Sequence, residues 1–373
     1  MTLDIANMPK LGFGLMRLPE KNGRIDIETV CEMADRYLEA GFNYFDTAYV
    51  YHGGNSEKII KEVLVDRHPR EEFTVASKLP AWCIHSLADR DKIFEEQLER
   101  TGLEFFDYYL LHSLEDGINY DTYEKYDCFN WGAQKKKEGK ILHFGFSFHG
   151  TPELLETVLD KHPEIEFVQI QLNYADWDNP VVNSGKLYEI LHGRGIPMII
   201  MEPVKGGTLA KLPEELEKMF KAVRPDQSAA SWAMRFCGSL EGVATILSGM
   251  STREQVEDNL KTFAYFEPLS GKERDTIAQV TQKLLDAKLI GCTSCRYCCD
   301  GCPANIHIPD IFNALNTHRR FPQDMRPKFF YGSLTSYSGK ASDCLECGQC
   351  EEVCPQHLPI RGLLKEAVEQ LEK

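Results

Sequence analysis

Two runs of cysteines with one spacing constrain how the C-terminal part of this chain can fold. Nine of its thirteen cysteines lie between Cys292 and Cys354. Each run reads Cys-x2-Cys-x2-Cys-x3-Cys-Pro, which is the spacing of bacterial [4Fe–4S] ligation. Three thiolates on one tight turn reach three irons of a cubane, and in proteins with two such clusters the fourth thiolate comes from the other run.

We therefore predict two [4Fe–4S] clusters that carry single electrons. Cys299 is an additional thiol in the first run and a further candidate ligand in place of Cys298 or Cys302. Zinc is the alternative metal, because zinc sites also use Cys-x2-Cys pairs. A disulfide framework is not expected in a large chain without a secretory signal. The ligands of the first cluster are Cys292, Cys295, Cys298 and Cys354. Those of the second are Cys344, Cys347, Cys350 and Cys302.

The overall charge excludes several classes of function. The 373 residues carry a net charge of −15 at pH 7, which opposes binding to nucleic acid or to anionic membranes. No uninterrupted apolar stretch approaches the roughly 20 residues of a membrane-spanning helix. The N-terminus has no apolar segment behind a basic start, so no signal peptide is predicted. We expect a cytoplasmic protein without a nucleic-acid or membrane partner.

The first part of the chain alternates short β-type runs with longer amphipathic segments. Apolar residues recur at helical spacing in Ile27–Ala40 and Asp91–Thr101. Strand–helix alternation implies parallel pairing through crossovers, and eight such units favour an α/β fold of the (β/α)8 TIM-barrel type over an open sheet. The predicted strands are Leu11–Met16, Phe42–Asp46, Phe73–Lys78, Asp107–His112, His143–Ser147, Phe167–Asn173, Met198–Glu202 and Val243–Ser248.

A barrel places its chemistry at the C-terminal ends of its strands. Four polar residues, Asp46, Lys78, His112 and Ser147, each end a predicted strand. This coincidence supports the barrel and marks the four side chains as candidates for a functional site.

A small helical domain is predicted to follow the barrel. The cysteine runs are separated by the 41 residues from Pro303 to Asp343, a longer segment than a compact βαβ ferredoxin has. Pro309–His318 and Ile360–Leu371 have helical patterns. We place the boundary after a predicted helix, Arg274–Ala287. The expected domains are therefore a barrel over residues 1–287 and a small α-helical ferredoxin-like domain over residues 288–373.

Motifs in residues 9–262 resemble those of aldo-keto reductases, in order and at family-like spacing. The whole chain resembles the aldo-keto reductases that have a C-terminal [4Fe–4S] domain. The motifs are Leu11-Gly12-Phe13-Gly14-Leu15-Met16-Arg17-Leu18-Pro19, Phe45-Asp46-Thr47-Ala48-x2-Tyr51, Ser77-Lys78 and Leu111-His112.

The resemblance implies a catalytic tetrad. Tyr51 would be the general acid that protonates the carbonyl oxygen, and Lys78 would lower its pKa by placing a cation beside the phenolate. Asp46 would hold Lys78 by an ion pair, and His112 would orient the carbonyl. General chemistry favours these residue types, because tyrosine titrates near 10 and a buried lysine requires a carboxylate partner.

The resemblance also implies contacts to NADP or NAD. Ser147 and Gln169 would bind the nicotinamide carboxamide, residues 202–209 would face the pyrophosphate and residues 248–259 the adenosine. The other predicted contacts are Glu202, Val204, Gly206, Gly249, Arg253, Gln255 and Asn259.

Three residues depart from the family pattern. Phe148 follows Ser147 where many members have asparagine, and Glu202 stands where many have a tyrosine that stacks on nicotinamide. Gln255 replaces an arginine that often binds the 2′-phosphate, with Arg253 two residues upstream. These departures leave the choice between NADPH and NADH open, and they leave room for a flavin in the barrel.

The leading interpretation is an oxidoreductase that transfers hydride to or from a small carbonyl or alcohol, with iron–sulfur electron transfer in the tail. The alternative is an electron-transfer or docking protein whose barrel is vestigial or uses flavin. A third interpretation makes the clusters purely structural. A redox protein is a candidate partner. Trp82 and Trp131 are predicted either to line the substrate pocket or to pack elsewhere.

Overall fold

The computed structural model describes residue 5 and residues 8–115, 118–179, 182–286, 289–320 and 326–373. The chain divides into two compact units. The first contains Met1–Asp178, Asn183–Pro203 and Met234–Leu269, and the second contains Asn179–Val182, Val204–Ala233 and Ser270–Lys373. The predicted domain boundary, between residues 287 and 288, lies outside the described residues.

Eight parallel strands close into a barrel within the first unit, which confirms the TIM-barrel prediction. Each strand pairs with its neighbour in the sequence, and the first strand also pairs with the last. The strands are β1 (Leu11–Gly14), β2 (Tyr44–Asp46), β3 (Thr74–Pro80), β4 (Phe106–Leu114), β5 (Ile141–Phe148), β6 (Phe167–Gln171), β7 (Met198–Met201) and β8 (Val243–Ser248).

Three strands extend past the polar residues predicted to end them. Lys78 pairs with Leu110, and the ladder between β3 and β4 continues to Pro80 opposite His112. Strand β4 then continues to Leu114 through a register shift, where Ser113 has a left-handed φ of 57°. A bulge re-aims side chains at the rim of a barrel. His112 therefore lies at the bulge rather than at the end of its strand.

Helices alternate with the strands as predicted. Ile27–Ala40 is observed as Ile27–Glu39 and Asp91–Thr101 begins earlier, at Leu87, where Ser86 and Asp89 form a capping box. The helices of the first part are α1 (Ile27–Glu39), α2 (Asn55–Ile60), α3 (Leu87–Thr101), α4 (Ile118–Lys125), α5 (Cys128–Lys137), α6 (Pro152–Lys161), α7 (Ser184–Gly193), α8 (Glu214–Lys221), α9 (Ala229–Gly238), α10 (Arg253–Ala264) and α11 (Gly271–Asp286).

Aromatic and aliphatic side chains fill the barrel interior. Tyr44, Tyr108 and Phe167 pack together there with smaller residues, and Ile5 and Met8 from the N-terminal segment join the same cluster. Burial of such surface stabilises a fold by about 25 cal/mol per Å². Because the interior is filled with apolar side chains, the polar chemistry is confined to the rim.

The C-terminal segment has its own apolar core, which includes Ile311, Phe312, Leu315 and Leu364. The predicted helix Pro309–His318 is observed as Ile308–Arg320, and Ile360–Leu371 is an α-helix to Ala367 followed by a π-helical turn. This confirms the helical prediction. The helices are α12 (Tyr297–Asp300), α13 (Ile308–Arg320), α14 (Arg326–Leu334), α15 (Gln349–Glu352) and α16 (Ile360–Ala367).

Among the helices of the described residues, none combines the length and apolar character needed to cross a membrane.

Candidate active site

Lys78 and Asp46 form a buried ion pair at the C-terminal rim of the barrel. The Lys78 Nζ donates to Asp46 Oδ1 at 2.7 Å and to the carbonyl oxygen of Thr47 at 2.6 Å. Burial lowers the pKa of Lys78 and raises that of Asp46, and each partner opposes the shift of the other. The ion pair therefore holds one positive and one negative charge at fixed positions beside the pocket, and the two charges balance each other.

Tyr51 lies beside this pair, on the turn between β2 and α2. The ammonium of Lys78 lies 4.9 Å from the centroid of its ring. Burial raises the pKa of Tyr51 well above 10, and the carboxylates of Asp46 and Glu202 raise it further. The guanidinium of Arg17 lowers this pKa but does not offset these effects. Tyr51 is therefore a protonated phenol at neutral pH, the form that donates a proton.

His112 faces Tyr51 edge to face, with 5.9 Å between the ring centroids and an interplanar angle of 81°. Burial, together with the positive charge of Lys78, moves the pKa of His112 well below 6.5. The imidazole is therefore neutral at neutral pH, and its Nδ1 atom has no hydrogen-bond partner among the described residues. The structure thus brings all four predicted tetrad residues together.

The two tryptophans have different environments. Trp82 is 43 % exposed and its ring lies 5.2 Å from that of His112, so it belongs to the pocket. Trp131 is buried, packs edge to face on Phe94 at 5.6 Å and donates its indole N–H to Asp91. Trp131 is therefore a packing residue between helices.

A buried network lies behind the tetrad. The carboxylate of Glu57, which is fully buried, accepts hydrogen bonds from Ser77 Oγ at 2.6 Å, Gln97 Nε2 at 2.6 Å and Arg100 Nη1 at 3.1 Å. The same Gln97 amide also donates to the carbonyl oxygen of Lys78 at 3.1 Å. Because Glu57 lies on α2, just after Tyr51, this network joins the turn that carries Tyr51 to the strand that carries Lys78.

Two predicted nicotinamide contacts lie on adjacent strands, with Ser147 and Gln169 in register between β5 and β6. Ser147 Oγ accepts a hydrogen bond from the amide of Ser113 at 2.8 Å, so its own proton can be donated elsewhere. Gln169 Oε1 is buried without a hydrogen-bond partner among the described residues. Such an atom can accept a hydrogen bond from a ligand.

Glu202 follows β7 with a left-handed φ of 57°. Its carboxylate lies 3.7 Å from Arg17 Nη2, and its backbone carbonyl accepts from Asn173 Nδ2 at 3.1 Å. The stem of Arg17 also lies against Gly249, where an added Cβ would come within 3.4 Å of it. Arg17 is thus a pocket residue whose role the sequence did not predict, although it stands in the first motif that resembles the family.

The predicted adenosine contacts lie around the turn from β8 to α10. Asn259 is buried and donates to Ser248 Oγ at 2.8 Å, and Gln255 Oε1 accepts from the amide of Ser251 at 2.7 Å. Arg253 is exposed and forms an ion pair with Glu32 of α1. Two more predicted contacts, Val204 and Gly206, belong to the second unit.

Two small cavities in the second unit are each lined by four cysteines. Each draws three of these residues from one run and the fourth from the other. The first is lined by Cys292, Cys295, Cys298 and Cys354, and the second by Cys344, Cys347, Cys350 and Cys302.

In the described part of the chain, no three His, Cys, Asp or Glu side chains converge tightly enough to hold a single metal ion. A cubane instead binds each thiolate at a different corner. Burial raises the pKa of Cys292 to about 11 and that of Cys350 to about 11, so a bound metal cation would favour their thiolate forms.

The profile of the aldo/keto reductase family matches residues 10–282, which is most of the chain. The chain belongs to the aldo/keto reductase family. A second profile, that of the 4Fe-4S dicluster domain, matches residues 291–358. The protein is therefore an oxidoreductase of the aldo-keto reductase type with a 4Fe-4S domain. Members of this family act on small-molecule carbonyl compounds.

Similar aldo-keto reductases and related enzymes come from several kingdoms. An L-galactose dehydrogenase of Arabidopsis thaliana is 26% identical over 292 residues, covering 72% of this chain and 88% of that protein. The aldehyde reductase YPR1 of Saccharomyces cerevisiae is 25% identical over 302 residues, covering 72% and 90%. These alignments cover about three quarters of this chain or slightly less.

Solved structures show the same fold. The holo form of an aldo-keto reductase from Bacillus halodurans superposes with a TM-score of 0.59 at 24% identity, covering 73% of this chain and 91% of that one. An aldo/keto reductase from Klebsiella pneumoniae, in complex with NADP and acetate, has a TM-score of 0.58 at 18% identity, covering 74% and 92%.

Proposed function

We propose that this aldo-keto reductase interconverts a small carbonyl compound and its alcohol, using NADPH or NADH, and that it carries two [4Fe–4S] clusters in its tail. The observation that carries the proposal is the buried pair of Lys78 and Asp46 beside a protonated Tyr51 and a neutral His112. This combination presents a proton donor and a hydrogen-bond donor to one carbonyl oxygen.

The tetrad residues would act together in reduction. Tyr51 donates its phenolic proton to the carbonyl oxygen, and the neutral imidazole of His112 orients the same oxygen by a hydrogen bond. The Lys78 cation, held by Asp46 and the carbonyl of Thr47, stabilises the tyrosinate that remains. A bound nicotinamide supplies the hydride for the carbonyl carbon.

The residues present fit a nicotinamide dinucleotide at its carboxamide end. Gln169 offers a buried, unpartnered amide oxygen and Ser147 a hydroxyl proton, both on the same rim as the tetrad. The remaining contacts that we propose are Glu202, Val204, Gly206, Gly249, Arg253, Gln255 and Asn259. Arg253 must break its ion pair with Glu32 before it can bind a phosphate. The conformation of this turn therefore does not itself favour NADPH over NADH.

The cysteine cavities support two clusters with crossed ligands. The donor set of each cavity, four thiols of which one comes from the opposite run, is the set expected for a two-cluster site. A bound [4Fe–4S] cluster exchanges one electron, whereas nicotinamide exchanges two as hydride. We therefore include a flavin, in this chain or on a redox protein partner, as the carrier required if the two halves exchange electrons.

The second candidate function is electron transfer or docking with a barrel that is vestigial or uses flavin. Glu202, in the position of the usual stacking tyrosine, favours it, because a carboxylate cannot stack on nicotinamide. For either function we propose the domain limits 1–287 and 288–373.

Substitution of Tyr51 by phenylalanine tests the leading function. Tyr51→Phe removes the proton donor and keeps the ring, so we expect NADPH affinity to stay nearly unchanged. Carbonyl reduction should fall by about 10²-fold or more, the scale of lost general-acid catalysis. Fluorescence titration measures the first quantity and steady-state kinetics the second. Full activity of Tyr51→Phe on every accepted carbonyl would refute the mechanism.

A further inference from the structure

Thr293 contacts both a cysteine cavity and the loop that follows β7. It is 4 % exposed and lines the cavity that contains Cys292. A Cβ added to Gly206 would lie 2.6 Å from the carbonyl oxygen of Thr293 and 2.9 Å from its Cα. Both distances are shorter than carbon atoms tolerate against backbone, so only glycine permits this approach.

A second contact lies on the other side of Cys292. The side chain of Lys205, which is 8 % exposed, packs on Gly291, where an added Cβ would lie 3.1 Å from its Nζ. Two consecutive residues of the loop, Lys205 and Gly206, thus contact the two neighbours of a proposed cluster ligand. All of these residues belong to the second unit.

The loop has a conformation that requires such support. Lys205 has a φ of 49°, Gly206 a φ of 62° and Gly207 a φ of 96°, so three residues in succession are left-handed. A lysine in this region is strained, and such strain persists only where the surroundings hold it. Inside the loop, the carbonyl oxygen of Val204 accepts hydrogen bonds from the backbone amides of Gly207 and Leu209, both at 3.0 Å.

We propose that the segment Gly291–Thr293 positions the nucleotide-binding loop, so that affinity for the dinucleotide depends on occupancy of the first cluster. This inference rests on the proposed function, because Val204 and Gly206 are proposed nucleotide contacts. When Cys292 binds iron, its neighbours Gly291 and Thr293 are restrained, and these are the residues that Lys205 and Gly206 contact. By thermodynamic reciprocity, a bound dinucleotide must then favour binding of the first cluster by the same factor, which should slow its loss of iron.

The wild-type holoprotein provides the first test. Its iron is released anaerobically to a chelator with and without saturating NADP⁺, and each cluster is followed by electron paramagnetic resonance. We expect NADP⁺ to slow loss of the first cluster by about fivefold or more, within the usual range of allosteric coupling, and to leave the second unchanged. Equal release with and without NADP⁺, in protein shown by titration to bind it, overturns the proposal.

Neighbouring glycines provide a matched pair of variants. Gly206→Ala places a methyl group against Thr293, whereas Gly207, at a φ of 96°, has nothing within 4 Å of an added Cβ. Without nucleotide, Gly206→Ala should lose iron from the first cluster about tenfold faster than Gly207→Ala. Equal rates in the two variants would contradict the contact.

These two tests separate this inference from the proposed function. If the holoprotein binds neither NADPH nor NADH, the proposed function fails, and the comparison of the glycine variants still decides whether the loop and the cluster segment are coupled. If nucleotide binds and reduction proceeds but neither effect on iron release is seen, only the coupling fails.

Discussion

The ammonium group of Lys78 lies 2.7 Å from a carboxylate oxygen of Asp46, and both side chains are buried. Removing one partner of such a pair leaves an uncompensated charge in a medium that solvates it poorly. The same ion pair therefore contributes both to the stability of the barrel rim and to the chemistry of the candidate site.

Lys78→Met should lower both stability and activity. The variant leaves Asp46 buried without its cation, and we expect a loss of about 3–5 kcal/mol in the free energy of unfolding. The double variant Lys78→Met/Asp46→Asn removes both charges and should recover most of that loss, while carbonyl reduction stays low. Anaerobic urea denaturation and steady-state kinetics check these outcomes. Equal stability of the single and double variants would show that the pair has no such energetic coupling.

Metal analysis should find about eight irons and eight sulfides per chain. Replacing Cys302 by serine should damage the cluster held by the second run, and replacing Cys354 should damage the cluster held by the first, because each cavity takes its fourth cysteine from the other run. Electron paramagnetic resonance of the reduced protein distinguishes the two clusters. Loss of the cluster of the same run in each variant would disprove crossed ligation, and stoichiometric zinc without sulfide would disprove the clusters.

His112 should make the folded protein less stable in acid. Its pKa is well below 6.5 in the folded state because of burial, whereas the unfolded chain has the ordinary value. Below about pH 6.5 the unfolded state therefore binds the extra proton, and stability falls as pH falls, by at most about 1.4 kcal/mol per pH unit. His112→Gln should flatten this slope, because it removes the group whose pKa is lowered by burial. Identical slopes in wild type and His112→Gln would exclude the effect.

Glu57→Gln should destabilise the barrel more than Glu96→Gln. Both carboxylates pair with Arg100, but Glu57 is fully buried and Glu96 is 39 % exposed. The amide introduced at residue 57 meets the donors of Ser77 and Gln97, so we expect a loss of about 1–3 kcal/mol in unfolding free energy. The exposed pair should contribute less than about 1 kcal/mol. Thermal and urea unfolding measure the difference, and equal losses would argue against the buried network.

NADPH or NADH alone should not bleach the clusters of flavin-free protein. Hydride transfer moves two electrons and each cluster accepts one, so a carrier that is stable as a radical is required. Anaerobic mixing, followed by visible absorbance, should show bleaching only after addition of FMN, FAD or a flavoprotein. Fast bleaching without flavin would refute the carrier argument.

Local pattern predicted the barrel, because strand–helix alternation and strand-end polar residues are visible over a few residues. The tetrad that includes Tyr51 was predicted from the family resemblance. The bulge at Ser113 was not predicted, since its left-handed φ follows from pairing between β4 and β5. The burial of Glu57 was also missed, because a glutamate on a short helix resembles a solvated one. Its partners come from β3 and α3, which the fold brings to it.

By itself, the sequence determined the features that depend on residues close together in the chain. These are the alternation of β and α segments and the cluster-binding tail predicted from the cysteine spacing. Only the tertiary structure decided which distant groups touch. It placed Trp82 in the pocket and packed Trp131 between helices. It also brought Gly206 into contact with the backbone of Thr293. The physical reason is that spacing along the chain specifies hydrogen-bonded turns and buried faces, whereas desolvation, ion pairing and close approach depend on residues far apart in sequence.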